Sequence, residues 1–133
     1  MFMPRLLVLL ALGTAPSCGC HRVYRVHDSA EAPGDYFRRY DGRADLSNRL
    51  SINRDGGYCH EYPVDGGLLT ECGDWDFRVD HELGLVGLSD FRPEQNGDVL
   101  NQAFDLERVG TTKRLVINYD TGEYFIQVER DGG

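Results

Sequence analysis

Cys59-His60-Glu61-Tyr62-Pro63-Val64-Asp65-Gly66-Gly67-Leu68-Leu69-Thr70-Glu71-Cys72 carries its own register. Asp65-Gly66 is a favoured two-residue hairpin turn, because both residue types tolerate positive φ. Folding about that turn sets Val64 against Gly67, Pro63 against Leu68, Tyr62 against Leu69, Glu61 against Thr70 and His60 against Glu71. It also brings Cys59 opposite Cys72. Opposed pairs alternate between hydrogen-bonded and non-bonded sites, so with Val64–Gly67 bonded, Pro63 and Cys59 both fall at non-bonded ones. Proline has no N–H to offer there, and the narrow site brings two Cα atoms to about 4.5 Å, within disulfide range. The register therefore predicts a Cys59–Cys72 bridge, read as a staple rather than a redox pair.

Outward from this hairpin, short alternating runs are separated by turn signals, and helical periodicity is absent. Eight strands are expected: residues 36–40, 44–53, 57–63, 68–79, 83–89, 99–108, 113–119 and 123–130. The alternation places Leu46, Leu50 and Ile52 on one face, then Trp75, Phe77 and Val79. It groups Leu100, Phe104 and Leu106 next, then Leu115 with Ile117, and finally Tyr124, Ile126 and Val128. Short connections favour an antiparallel meander, closed into a small barrel or split into a two-sheet sandwich. The barrel is the expected form, since a meander closes without long crossovers. Arg92 to Gly97 is the longest irregular stretch and reads as a loop.

Upstream, Arg5 and the apolar run Leu6 to Leu12 have signal-peptide character. The run is shorter than the roughly 20 residues that span a bilayer. Residues 1–19 are read as the signal, 20–33 as a flexible tether and 34–133 as one β-domain. Ala15-Pro16-Ser17 before Cys18, and Ser17-Cys18-Gly19 before Cys20, resemble the cleavage region of bacterial lipoprotein signals. That resemblance implies lipidation of Cys18 or Cys20, and membrane contact only through this anchor. Ordinary secretion is the alternative. In either case the protein is expected outside the cytosol, where disulfides persist.

The net charge of −8 becomes −9 once Arg5 is removed. Such a chain repels phosphate backbones, so nucleic acid is not an expected partner. No GxSxG, HExxH, P-loop or dinucleotide motif is present. None of His21, His27, His60 and His81 has zinc-ligand spacing to another His or Cys. Asp74, Asp76, Asp80 and Glu82 form an acidic cluster, read as a solvated strand face rather than a calcium site. His60 and Glu71 are read as a cross-strand charge pair, with no nucleophile nearby. Asp120-Thr121-Gly122 resembles the aspartic-protease triplet, but only eleven residues follow Gly122 and a type I turn explains it. No enzyme, metal or cofactor is therefore expected.

Leu50-Ser51-Ile52-Asn53-Arg54-Asp55-Gly56-Gly57-Tyr58, Gly73-Asp74-Trp75 and Leu83-Gly84-Leu85 resemble a pattern of small bacterial envelope lipoproteins with lipocalin-like barrels. The resemblance implies a barrel and a periplasmic or outer-membrane location, and carries no catalytic residue. The expected function is binding of a protein partner, as an inhibitor or immunity-type protein. The acidic surface suits a cationic enzyme. The alternative is a barrel holding a small apolar ligand, walled by Tyr58, Tyr62, Trp75, Phe77, Phe104 and Tyr124.

Overall fold

The turn signals reverse the chain where the sequence places them, and nine antiparallel strands result. The computed structural model describes residues 22–127. They comprise β1 (Val23–Arg25), a single 3-10 turn (Ser29–Glu31), β2 (Gly34–Tyr40), β3 (Arg43–Ile52) and β4 (Gly57–Val64). There follow β5 (Gly67–Asp80), β6 (Leu83–Phe91), β7 (Leu100–Val109), β8 (Thr112–Asn118) and β9 (Glu123–Gln127). Strands β2 to β9 pair in sequence, and β9 pairs back onto β2. That last pairing closes an eight-stranded barrel and excludes the sandwich. Cys18 and Cys20, the signal segment and Val128 lie outside the described residues.

The cysteine hairpin has the register its sequence dictates, from Val64↔Gly67 to Cys59↔Cys72. The disulfide is formed with Cα atoms 4.0 Å apart. Only the turn chemistry differs: Gly66 takes φ +90° while Asp65 keeps a negative φ. One glycine suffices to reverse the chain.

Alternation fills the barrel with aromatic rings. Tyr36, Tyr58, Tyr62, Phe91, Phe104 and Phe125 are all at most 2% exposed. Phe91, Phe104 and Phe125 meet one another edge to face, with centroids 5.6–6.2 Å apart, a favourable arrangement for aromatic quadrupoles. Trp75 and Phe77 pack half-buried against this core. Three expected core positions are exposed instead: Leu46, Val79 and Leu100. On β3, a bulge between Phe37↔Arg49 and Arg38↔Asp45 breaks the alternation around Leu46. Val79 and Leu100 sit near strand ends, where few neighbours cover them.

Tyr124 is a correction. The run Tyr124-Phe125-Ile126 is apolar in both parities, so alternation alone does not choose its inward face. Pairing chooses it: Phe125 lies opposite Leu115 on β8 and Arg38 on β2, and directly opposed residues share a face. Phe125 is therefore inward at 0% exposure, while Tyr124 stands outside beneath the Arg114 guanidinium, 4.3 Å away.

The tether is a second correction. From Val23 the chain is structured: β1 pairs with the end of β7, and Val26 and Ala32 are buried. Val26 N–H donates to Leu106 O, and the Tyr36 hydroxyl donates to Ala32 O at 2.7 Å. His27 Nε2 donates to Glu82 O at 2.6 Å. The Lys113 ammonium donates to the carbonyls of Glu31 and Pro33. This segment stoppers the end of the barrel where the β3–β4, β5–β6 and β7–β8 turns gather. Polar composition hid two apolar anchors, and buried backbone groups found partners along the rim. The opposite end, carrying the other four turns, remains open.

Candidate functional site

The open end is a cleft of about 610 Å³, lined among others by Arg38, Tyr40, Arg43, Asn48, Tyr62 and Gln95. Inward positions of β2 and β3 bring Arg38 and Asn48 to its lining, and behind them the register partners His60 and Glu71 of β4 and β5 bond to Asn48 and to the lining residue Tyr62. His60 is 1% exposed and lies between Tyr62 and Phe91, with centroids 4.7 and 4.8 Å away. Its Nδ1 is 3.1 Å from Arg92 O and its Nε2 is 2.7 Å from the Asn48 side-chain amide. Burial pulls its pKa down to about 4, opposed by the Arg92 carbonyl and assisted by the Arg38 charge. The atom facing Nε2 is Asn48 Oδ1, so both ring nitrogens meet acceptor oxygens. A neutral ring has one N–H, which Nδ1 donates to the Arg92 carbonyl, and turning the Asn48 amide so that its NH2 faces Nε2 would satisfy the second nitrogen.

His60 and Glu71 are register partners, yet each bonds elsewhere. Glu71 accepts from the Tyr62 hydroxyl and pairs with Arg92 Nε at 3.4 Å. Burial and this carboxylate raise the Tyr62 pKa to about 12. Arg92 Nη1 also donates to Gly97 O at 2.7 Å, and Gln95 Oε1 accepts from Asp65 N–H at 2.9 Å. The irregular stretch after β6 is thereby fastened to the cysteine hairpin. Across the floor, Arg38 Nη2 donates to Glu123 Oε2 at 2.6 Å, and its guanidinium lies 5.7 Å above the Phe125 ring. Burial raises the Glu123 pKa, but hydrogen bonds from Arg38 and Thr121 outweigh it and hold the carboxyl below the ordinary value.

The outer wall offers a second, smaller cleft of about 290 Å³ over β5, β6 and β7. Gly87 and Ala103 leave it open because they contribute almost no side chain. Asp74 and Asp76 rim it, and the Asp76 carboxylate leans over Gly87. Ser89 Oγ accepts from Asp74 N–H at 3.0 Å and donates to Asp74 O at 3.1 Å, which fixes that rim. The acidic cluster is thus an outer strand face. No group of three His, Cys, Asp or Glu among the described residues is placed to hold a metal ion.

Of the six aromatics predicted to wall a pocket, Tyr58, Tyr62 and Phe104 are in the core and Trp75 and Phe77 border it. They fill the interior ring against ring. Sequence reasoning did not single out Arg38, Asn48 and Arg92. A signal for Arg38 was present: Tyr36, Arg38 and Tyr40 share a parity on one strand, which puts a cation in line with two aromatic rings. Asn48 reaches the cleft only through the β3 bulge, and the course of the 92–97 loop sets Arg92 beside Glu71. Comparison with known protein families, curated proteins and solved structures gave no match.

Proposed function

We propose that this chain is an exported, non-catalytic binding protein whose acidic outer wall docks a cationic protein, in the manner of an inhibitor or immunity-type protein. The carrying observation is the outer cleft. A dent over Gly87 with Asp74 and Asp76 on its rim accepts a lysine or arginine side chain from a partner and neutralises it. The net charge of −8 steers such a partner over longer range. A lipid on Cys18 or Cys20 would hold the protein at a periplasmic membrane face close to its stoppered end, because β1 begins at Val23.

The closed barrel favours a small apolar ligand as the second reading. The ring-to-ring packing inside speaks against it, since a ligand there would have to displace buried aromatics.

The test uses the full chain, immobilised, and a strongly basic cell-wall hydrolase as probe. Binding should weaken with salt, and the Asp74→Asn/Asp76→Asn double variant should bind roughly tenfold less tightly. Absent or salt-insensitive binding, or equal binding by the variant, would remove the proposal.

A further inference from the structure

The open mouth of the barrel has donors to spare. A guanidinium has five N–H donors in a planar fork. Arg38 lines the cleft with one side-chain hydrogen bond among the described residues, to Glu123, and its buried Nε has no partner among them. The Arg43 guanidinium, exposed on the adjoining strand, has no hydrogen bond or ion pair with the described residues. The nearby acids are largely engaged. Asp45 accepts from Ser47 N–H and Oγ–H, Glu71 from Tyr62 and Arg92, and Glu123 from Arg38 and Thr121. Asp45, whose bonds to Ser47 use Oδ1 only, and Glu94 are both exposed on the rim. Arg38 Nε and the Arg43 guanidinium nevertheless stay unpaired among the described residues, and a partly buried cation with unmet donors is the environment a carboxylate satisfies best.

Apolar wall surface comes from the Tyr40 ring, Pro63 and Pro93, beside the polar Glu94, Gln95 and Asn96. The geometry points to this mouth as a binding site for a small carboxylate with an apolar body. The carboxylate pairs with Arg38 and Arg43, and the body rests on Tyr40 and the two prolines. The site is separate from the outer wall and stands or falls without it. Because the chain is acidic overall, its long-range field opposes an anion, and short-range pairing carries the affinity. Such a carboxylate belongs to a free organic acid or to the C-terminus of a peptide.

The test is an NMR titration of the full chain with N-acetylphenylalanine, its amide, and an acetylated tripeptide ending in phenylalanine. The free acid should bind saturably, shifting Arg38 Nε–H and the backbone signals of Tyr40, Asn48 and Gln95. The amide should bind at least tenfold more weakly. Arg43→Gln, at an exposed position, should weaken the acid about tenfold while Arg78→Gln on the outer wall leaves it unchanged. Tighter binding of the tripeptide assigns the site to peptide C-termini, and tighter binding of the single amino acid assigns it to free acids. Equal binding of acid and amide, shifts away from the mouth, or an unaffected Arg43→Gln variant would overturn the inference.

Discussion

Replacing Gly84 by alanine would place a methyl group 1.8 Å from Val26 O, 2.9 Å from Phe77 Cζ and 3.0 Å from the Val26 carbonyl carbon. Since such contacts do not fall below 3.0 Å, the Val26 backbone would have to move by about 1.2 Å. The obstacle is backbone, held by Val26 N–H on Leu106 O and by the β1–β7 pairing, so no side-chain rotation relieves it. The expected result is release of the segment that stoppers the barrel. Exposing Val26 costs about 1.5–3 kcal/mol and each lost hydrogen bond about 1 kcal/mol. The Glu31–Arg108 pair, about 40% exposed on both sides, adds little. A loss of about 3–4 kcal/mol follows, a shift of more than about 1 M in the urea midpoint. Gly87→Ala is the control. Its methyl meets Asp76 Oδ1 at 2.3 Å, but an exposed carboxylate swings aside, and the cost should stay within about 0.5 kcal/mol. Urea unfolding combined with amide exchange of residues 23–32 reads both effects. A Gly84→Ala protein with an unchanged midpoint and unchanged protection of that segment would refute the stopper.

Reducing the Cys59–Cys72 bridge, or replacing both cysteines by serine, should cost about 3 kcal/mol for a loop of 13 residues' separation, measured by urea unfolding with and without reductant. His60 titrates near 6.5 in the unfolded chain and at about 4 when folded, so the unfolded state alone takes up a proton between those values. Stability should therefore fall as pH drops from about 6.5 towards 4, by about 3 kcal/mol in full, and His60→Gln should flatten this part of the profile. A native protein whose unfolding midpoint is flat from pH 7 to 4.5 would contradict it. Tyr119→Phe should destabilise by about 1–2 kcal/mol in a thermal scan. The hydroxyl donates to Glu107 Oε2 at 2.6 Å, leaving that 2%-exposed carboxylate to Arg114 alone when it is removed.

Local chemistry decided much of this protein before any tertiary contact formed. Asp65-Gly66, Pro63 and the cysteine spacing specify one register, because turn length sets which residues oppose and a one-residue slip would reverse every side chain. Alternation likewise placed Leu50, Ile52, Phe104, Leu106 and Leu115 inside. Where alternation was silent, pairing between distant strands decided: Phe125 rather than Tyr124 faces the core because Leu115 and Arg38 lie opposite it. The β9–β2 closure, the β3 bulge that exposes Leu46, and the burial of Val26 and Ala32 beneath the barrel also depend on partners far along the chain. The open mouth follows from the same cause. Its Arg38, Asn48, Tyr62 and Gln95 come from three strands and a loop, and only the tertiary fold brings them to one cleft.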